Sequence, residues 1–350
     1  MSRASALLCA SAGLLGCFPG PGAASPGVRL GAAPLCEASA VRLLPCPEAG
    51  ESATCAVVGD NEVKDRLFSL RIDGRELIDQ RELPLSPAVE DIEAIESIGD
   101  ALLVVGSHSR RSWKRRCEPD ADRRVLARVR RGPAGYEGAA IRTSGAAWTA
   151  LLHADCTTRL LGRAGGGGGL VSRVCAAFSA AEDHATDSSD RCAEAFNIEG
   201  AVGIPGVSGR DAVWLGLRSP LVAGRAVLLR LVGNGEGREL AFDGVATIDL
   251  SGWGIRDLAF SNGWVLGIAG PLADAGGGFR LWRTSAENLA DGNEIGAEGV
   301  EVIRTDLLAG SEGLAPAGPE ALVVVDGDRP SAKGGDCGVP AGKAWIPLAE

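Results

Sequence analysis

The chain has 350 residues, with 35 lysines and arginines against 45 aspartates and glutamates, a formal charge of −10. So acidic a chain has no surplus of basic residues to neutralise phosphates, which excludes nucleic acid as the expected partner. Hydrophobic residues make up 45% of it and mean hydropathy is +0.10, enough apolar surface for a buried core.

The N-terminus reads Met1-Ser2-Arg3, then runs almost wholly apolar or small from Ala4 to Leu15. A basic start with a brief apolar stretch is the pattern of an export signal, and it falls short of the roughly 20 residues a membrane span needs. The run ends Leu14-Leu15-Gly16-Cys17, the pattern of a bacterial lipobox, with Cys17 as the lipidated residue. Cleavage near Ala23-Ala24-Ser25, releasing an unanchored product, is the alternative. The expected organisation is a signal peptide over 1–16, a lipid-anchored flexible tether over 17–34 and one domain over 35–350. The Pro, Gly and Ala content of the second segment supports the tether. The expected location is the bacterial envelope, with membrane contact through the lipid anchor only.

Of ten cysteines, Cys9 lies in the signal segment and Cys17 is the lipid site. Cys36, Cys46, Cys55, Cys117, Cys156, Cys175, Cys192 and Cys337 remain. An even remainder in an exported chain predicts up to four disulfides. Spacing does not choose among roughly a hundred connectivities. Cys175–Cys192 is the first expectation, since it would tie off one polar loop, Glu182 to Asp190. Zinc held by cysteine is the alternative, and no C-x-x-C pair supports it.

Along the chain, short apolar runs are separated by turn signals, among them the hairpin dipeptides Asp73-Gly74, Asp243-Gly244 and Asn262-Gly263. One pattern recurs: an apolar strand stopping abruptly in Gly or Asp. It occurs at Ala56-Val57-Val58-Gly59, Leu103-Val104-Val105-Gly106, weakly at Leu160-Leu161-Gly162, then at Trp214-Leu215-Gly216, Gly267-Ile268-Ala269-Gly270 and Val323-Val324-Val325-Asp326. The spacing is about 54 residues. An acidic landmark precedes most copies: Glu93, Glu199, Asp257 and Glu312. Such a period predicts an all-β chain, a β-propeller of six four-stranded blades, because a blade buries both its faces only when stacked in a ring. A short first copy and a weak third leave five or seven blades open, and a β-sandwich is the competing architecture. Trp214, Trp264 and Trp282 sit inside strand-like runs and are expected in the core.

In a propeller the first strand of each blade lines a central channel. The landmark acids would then converge at one mouth. Clustered carboxylates repel unless a cation neutralises them. Calcium, which takes six to eight oxygens in irregular geometry, suits Glu93, Glu199, Asp257 and Glu312 with the amide oxygen of Asn197. The alternative is that each acid caps a loop or pairs with Arg218 or Arg256. Those two arginines, with Ser109, are candidate ligand-binding groups, because a guanidinium grips carboxylate or phosphate bidentately. His108, in Gly-Ser-His-Ser at a strand end, is the candidate general base, and loop hydrogen bonding is its alternative role. His153 and His184 have no supporting partners nearby in sequence. No G-x-S-x-G elbow, H-E-x-x-H or Walker loop occurs. Gly233-Asn234-Gly235-Glu236-Gly237 reads as a hairpin turn.

The fragments Asp91-Ile92-Glu93, Gly106-Ser107-His108-Ser109, Asn197-Ile198-Glu199-Gly200, Gly216-Leu217-Arg218-Ser219-Pro220, Gly254-Ile255-Arg256-Asp257-Leu258, Gly270-Pro271 and Glu312-Gly313-Leu314 follow in that order. The series resembles a bacterial domain-of-unknown-function family of secreted, propeller-like proteins over roughly residues 50 to 330. The resemblance implies a fold and a shared surface but no reaction. A fainter similarity is to the secreted proteins named for an esterase-like activity of phytase, which share an Asp-x-Glu-Gly style of motif; here Ala94 stands where Gly is usual. Two functions follow as expectations. One is an envelope module binding a small molecule or envelope component. The other is a divalent-metal-dependent hydrolase, of phosphoesterase or lactonase type, with its site at the channel mouth.

Overall fold

The computed structural model describes residues 28–46, 53–113, 116–132, 135–142, 168–185, 192, 195–205, 212–232, 241–272, 278–327 and 337–348. Among them the chain is all-β with one α-helix. After β1 (Val28–Arg29), the first sheet is the antiparallel meander β2 (Ala38–Pro45), β3 (Thr54–Asp60), β4 (Val63–Asp73) and β5 (Glu76–Ser86). The second contains β6 (Ile92–Ile98) and β7 (Ala101–Gly106). A separate hairpin, β8 (Arg110–Trp113) and β9 (Arg116–Pro119), precedes its last strands, β10 (Val125–Gly132) and β11 (Gly135–Arg142). Tyr136 and Glu137 pair in parallel with Leu85 and Ser86, so these two meanders share one eight-stranded sheet.

Helix α1 (Gly168–Ala185) follows, then a third meander of β12 (Asn197–Gly203), β13 (Ala212–Ser219), β14 (Ala226–Val232) and β15 (Ala241–Ile248). The fourth is β16 (Gly254–Ser261), β17 (Trp264–Gly270) and β18 (Phe279–Ser285), joined by β20 (Glu301–Leu307) after the short β19 (Glu294–Ile295) has paired with β15. The fifth is β21 (Ser311–Ala317), β22 (Glu320–Val325) and β23 (Gly342–Pro347). Its fourth strand is β1, with Val28 opposite Lys343 and Arg29 opposite Gly342.

The apolar runs are unbroken because each sheet is buried on both faces. On β3, Ala56 and Val58 pack toward the fifth sheet, and Val57 between them packs toward the second. On β22, Val324 faces the first sheet and Val323 and Val325 the fourth. The result is five hydrophobic cores, one between each neighbouring pair of meanders. The first strands β2, β6, β12, β16 and β21 pack side by side in that order, and β21 returns against β2.

Five meanders therefore close the ring among the described residues, against six expected from the spacing. The copy at Leu160-Leu161-Gly162 lies outside the described residues. The chain between β11 and β12 is about one repeat long and so imitates a copy in the spacing. Its described part is a helix. Leu170, Val171, Val174 and Phe178 of α1 pack with Phe196 onto the core between the second and third meanders. Trp214 and Trp282 are buried as expected; Trp264 is 38% exposed, with Arg283 stacked on it.

Three described disulfides hold the periphery. Cys36–Cys337 joins the two ends of the ring, Cys46–Cys55 staples the β2–β3 hairpin, and Cys117–Cys192 ties the β8–β9 hairpin to the chain entering β12. The expected Cys175–Cys192 pair does not form. Cys192 is taken by Cys117, and Cys175, itself disulfide-bonded, points inward from α1. The expected acidic loop from Glu182 begins inside that helix. Such bonds fit an oxidising, exported setting. No helix among the described residues is long and apolar enough to cross a membrane. The signal segment and Cys17 lie outside the described residues. Val28 to Pro34, assigned to the tether by composition, instead belongs to the fold, with Leu30 buried and β1 in the fifth sheet.

Candidate functional site

Each first strand carries an extra residue near its start, at the same place relative to its partner: Ser39, Glu93, Glu199, Arg256 and Glu312. A β-bulge of this kind re-aims one side chain out of the alternation. The next residue is small in four of the five, Ala40, Ala94, Gly200 and Gly313. The neighbouring first strand leaves no room for more: a Cβ on Gly200 would stand 3.0 Å from Leu258 and 3.1 Å from the Asp257 backbone. One on Gly313 would stand 3.1 Å from Val41 of β2 and would also collide with Val324 of β22. The Ile-Glu-small fragments thus encode a bulge followed by a close approach.

In the fourth meander the bulged residue is Arg256, and the acid expected there is one place further on. Asp257 is fully buried and points to the next strand. Its carboxylate accepts from the Leu258 and Leu314 amides, both at 2.7 Å, and faces Arg42 at 3.4 Å. Burial pushes its pKa up to about 7. The signal for the right register was the isoleucine preceding Glu93, Glu199 and Arg256 alike.

Arg42 makes a floor. It lies three residues beyond Ser39 on β2 and reaches all four other first strands. It pairs with Glu96 at 3.3 Å, bonds the Leu314 carbonyl at 3.1 Å, and donates to the carbonyls of Ala201 and Leu258. A lone arginine in an apolar strand gave no hint of this, because the role exists only once five strands meet.

Above the floor lies the mouth. Glu199 Oε1 accepts from Arg218 at 3.0 Å and Asn197 Nδ2 at 2.7 Å, and Oε2 faces Arg256 at 3.2 Å. Arg256, 2% exposed, also pairs with Glu312 at 3.0 Å, donates to the Pro271 carbonyl at 2.8 Å and lies over the Phe279 ring. The cation between Glu199 and Glu312 is therefore a guanidinium. Asp91 accepts from Ser107, from Ser109 at 3.2 Å, and pairs with Arg123 at 3.0 Å; burial holds its pKa above the ordinary value. Ser109, a predicted ligand contact, is engaged in that network and accepts from Arg123 at 2.8 Å.

Glu93 is different. It is 8% exposed and has no hydrogen-bond or ion-pair partner among the described residues. Burial, then the charges of Asp91, Glu199, Glu312 and Asp326, push its carboxyl well above the usual range. Asp326, at the end of β22, is pushed up to about 9 by burial first, then by Glu312 and Glu37. Its Oδ1, and the Oδ1 of Asn197, are buried with no hydrogen-bond partner.

His108 stands apart from this group. It is buried in a left-handed conformation (φ 60°), its Nδ1 is 2.7 Å from the Gly106 carbonyl, and its ring meets Phe196 edge-on. Burial pushes its pKa down to about 3, so the ring is neutral and held by its loop. Glu182, read as part of a solvated loop, pairs with Arg110 at 2.7 Å and Arg124 at 3.4 Å. His153 and the side chain of His184 lie outside the described residues. No three mouth carboxylates come within 4.8 Å of one another; among the described residues only Glu90, Asp120 and Asp122 do, on the rim, where Arg111 pairs with Glu90 and with Asp120 at 2.7 Å.

Residues 193–329 match a family described as protein of unknown function (DUF3616). The matched segment carries Glu199, Arg218, Arg256, Glu312 and Asp326 of the mouth. No curated protein matches the chain. Among solved structures, the chain is similar to a protein described as a 6-phosphogluconolactonase from Bacteroides uniformis, at 15% identity and TM-score 0.34, covering 88% of this chain and 71% of that one. It is also similar to an exo-β-1,3-galactanase from Clostridium thermocellum, at 8% identity and TM-score 0.45, covering 89% and 59%. A third is described as an oxidoreductase (glucose dehydrogenase) from Thermus thermophilus, at 14% identity and TM-score 0.37, covering 90% and 98%.

Proposed function

We propose that this chain is an exported binding module, a β-propeller of five blades, with its ligand pocket at the mouth of the ring. The observation that carries the reading is Glu93. A buried carboxyl without a partner costs stability, and a purely structural role gives no return for it. A floor with every Arg42 donor engaged closes the pocket below, so a ligand enters and leaves by one end. The bound partner is a small molecule or an envelope component, and Cys17 would tether the module to the membrane by a lipid. The test is calorimetric titration of the disulfide-bonded chain against soluble envelope extracts, fractionated to single components, with Glu93→Gln beside it. A component bound by the native chain and lost in the variant supports the reading; equal binding by both removes the mouth from it.

A second reading, a metal-dependent hydrolase, draws on the carboxyls of Glu93 and Asp326. Burial pushes both pKa values up, that of Asp326 to about 9, and a carboxyl that holds its proton could serve as a general acid. Calcium on Glu93, Asn197, Glu199 and Glu312 belongs to this reading, though Arg256 already neutralises two of those acids. Metal analysis of protein purified without chelator, with ester and phosphoester hydrolysis measured on E93Q and E199Q, tests it. Stoichiometric metal and activity lost together would favour it over simple binding.

A further inference from the structure

The mouth has more acid than base. Asp91, Glu93, Glu199, Glu312 and Asp326 are acidic, and among the described residues Arg123 pairs with Asp91, Arg218 with Glu199, and Arg256 with Glu199 and Glu312. The Glu93 carboxyl, 8% exposed, is left without a counter-charge. An independent sign comes from a neutral group. Asn197 is also 8% exposed; its Nδ2 is spent on Glu199, yet its Oδ1 is buried with nothing donating to it. Asp326 Oδ1 is in the same position. A group that completes this arrangement brings one positive charge and several N–H donors.

We propose that the pocket takes a ligand bearing a protonated primary amine, its ammonium seated on Glu93 with Asn197 Oδ1 and Asp326 as further acceptors. An ammonium offers three donors and a compact charge, matching two carboxyls and an amide oxygen. A calcium ion asks for six to eight converging oxygens, and here the carboxylates of Glu199 and Glu312 are already held by arginines. A neutral ligand would leave the Glu93 charge uncompensated. The proposal rests on the mouth being the ligand pocket.

The test is isothermal titration of the full disulfide-bonded chain with putrescine, spermidine and L-lysine, alongside calcium chloride alone and a panel of neutral monosaccharides. One of the amines binding at one per chain is expected. Glu93→Gln should weaken it by about tenfold or more, the scale of one charge-assisted hydrogen bond. Asp326→Asn, which relieves a buried acid and so keeps the fold, should weaken it as well. Calcium binding without amine binding overturns the proposal in favour of a metal site. A neutral sugar that binds and is lost in E93Q also overturns it, but leaves the pocket reading standing. If no probe binds and both variants alter only the melting temperature, the ammonium proposal and the pocket reading fall together.

Discussion

Floor and mouth occupy the same first strands, three residues apart, and handle buried charge in opposite ways. On β2 and β6 the step from Ser39 to Arg42 and from Glu93 to Glu96 passes from one to the other. At the floor the account is closed: each N–H of Arg42 finds an acceptor on Glu96, Asp257 or the carbonyls of Val41, Ala201, Leu258 and Leu314. At the mouth, Arg256 and Arg218 serve Glu199 and Glu312, and Glu93 is left over. Burial is similar in both places, so burial alone does not separate structure from function. The presence or absence of a partner does: a satisfied buried ion holds five strands in register, and an unsatisfied one is an invitation to a ligand.

The sharpest way to break that contrast is Arg42→Ala. It strands Glu96 and Asp257 in the interior, and we expect a loss of about 3–5 kcal/mol, measured by urea unfolding. A variant as stable as the native chain would show that the floor is not what ties the strands together. The mouth should answer with the opposite sign. Asp326→Asn removes an acid that resists ionisation and should gain about 1–3 kcal/mol at pH 8. Because the folded-state value, about 9, lies above the ordinary carboxyl value, this acid supports the fold at low pH, and that support is lost as pH rises toward 9. Stability of the native chain should therefore fall from pH 5 to pH 9, with Glu93 and Asp257 contributing in the same direction. The D326N gain should vanish near pH 4, and a native chain that grows more stable across that window would contradict the assignment. The smallest effect is expected at His108. A general base contributes about 10²- to 10⁴-fold, so His108→Asn leaving any hydrolytic rate within about twofold would confine this residue to its loop.

Much of this site can be read from the residues alone, and the errors have physical causes. Glu93, Glu199 and Glu312 are visible because a small residue follows each of them, Ala94, Gly200 and Gly313, and an isoleucine precedes the first two. Asp257 misleads because the feature that repeats from strand to strand is a backbone irregularity and not an acid, and Arg256 fills it equally well. The Gly and Asp endings fall on the second strands, and Gly59, Gly106, Gly270 and Asp326 stand at or next to their ends, whereas Gly216 lies inside β13, which runs on to Ser219. The extra copy at Leu160-Leu161-Gly162 arises because an insertion of one repeat length leaves spacing unchanged. Arg42 and two of the three described disulfides are invisible for a common reason: their contacts join residues far apart in sequence, Cys117 to Cys192 over 75 positions and Cys36 to Cys337 over 301.

That separation bears on how the molecule is made. The sheet that completes the ring takes its last strand, Val28–Arg29, from the opposite end of the domain. A polypeptide threaded across a membrane N-terminus first must hold this strap ready while every other sheet assembles, leaving the β23 position bare until Gly342–Pro347 emerges. Topologies of such high contact order fold slowly, and an open strand edge is prone to pairing with other chains in the interval. The Cys36–Cys337 bond closes that interval: in the chain-entropy picture a loop of this length contributes about 6 kcal/mol, and once oxidised the buckle cannot slip. Oxidative capacity in the compartment of arrival is then expected to limit the yield of this protein.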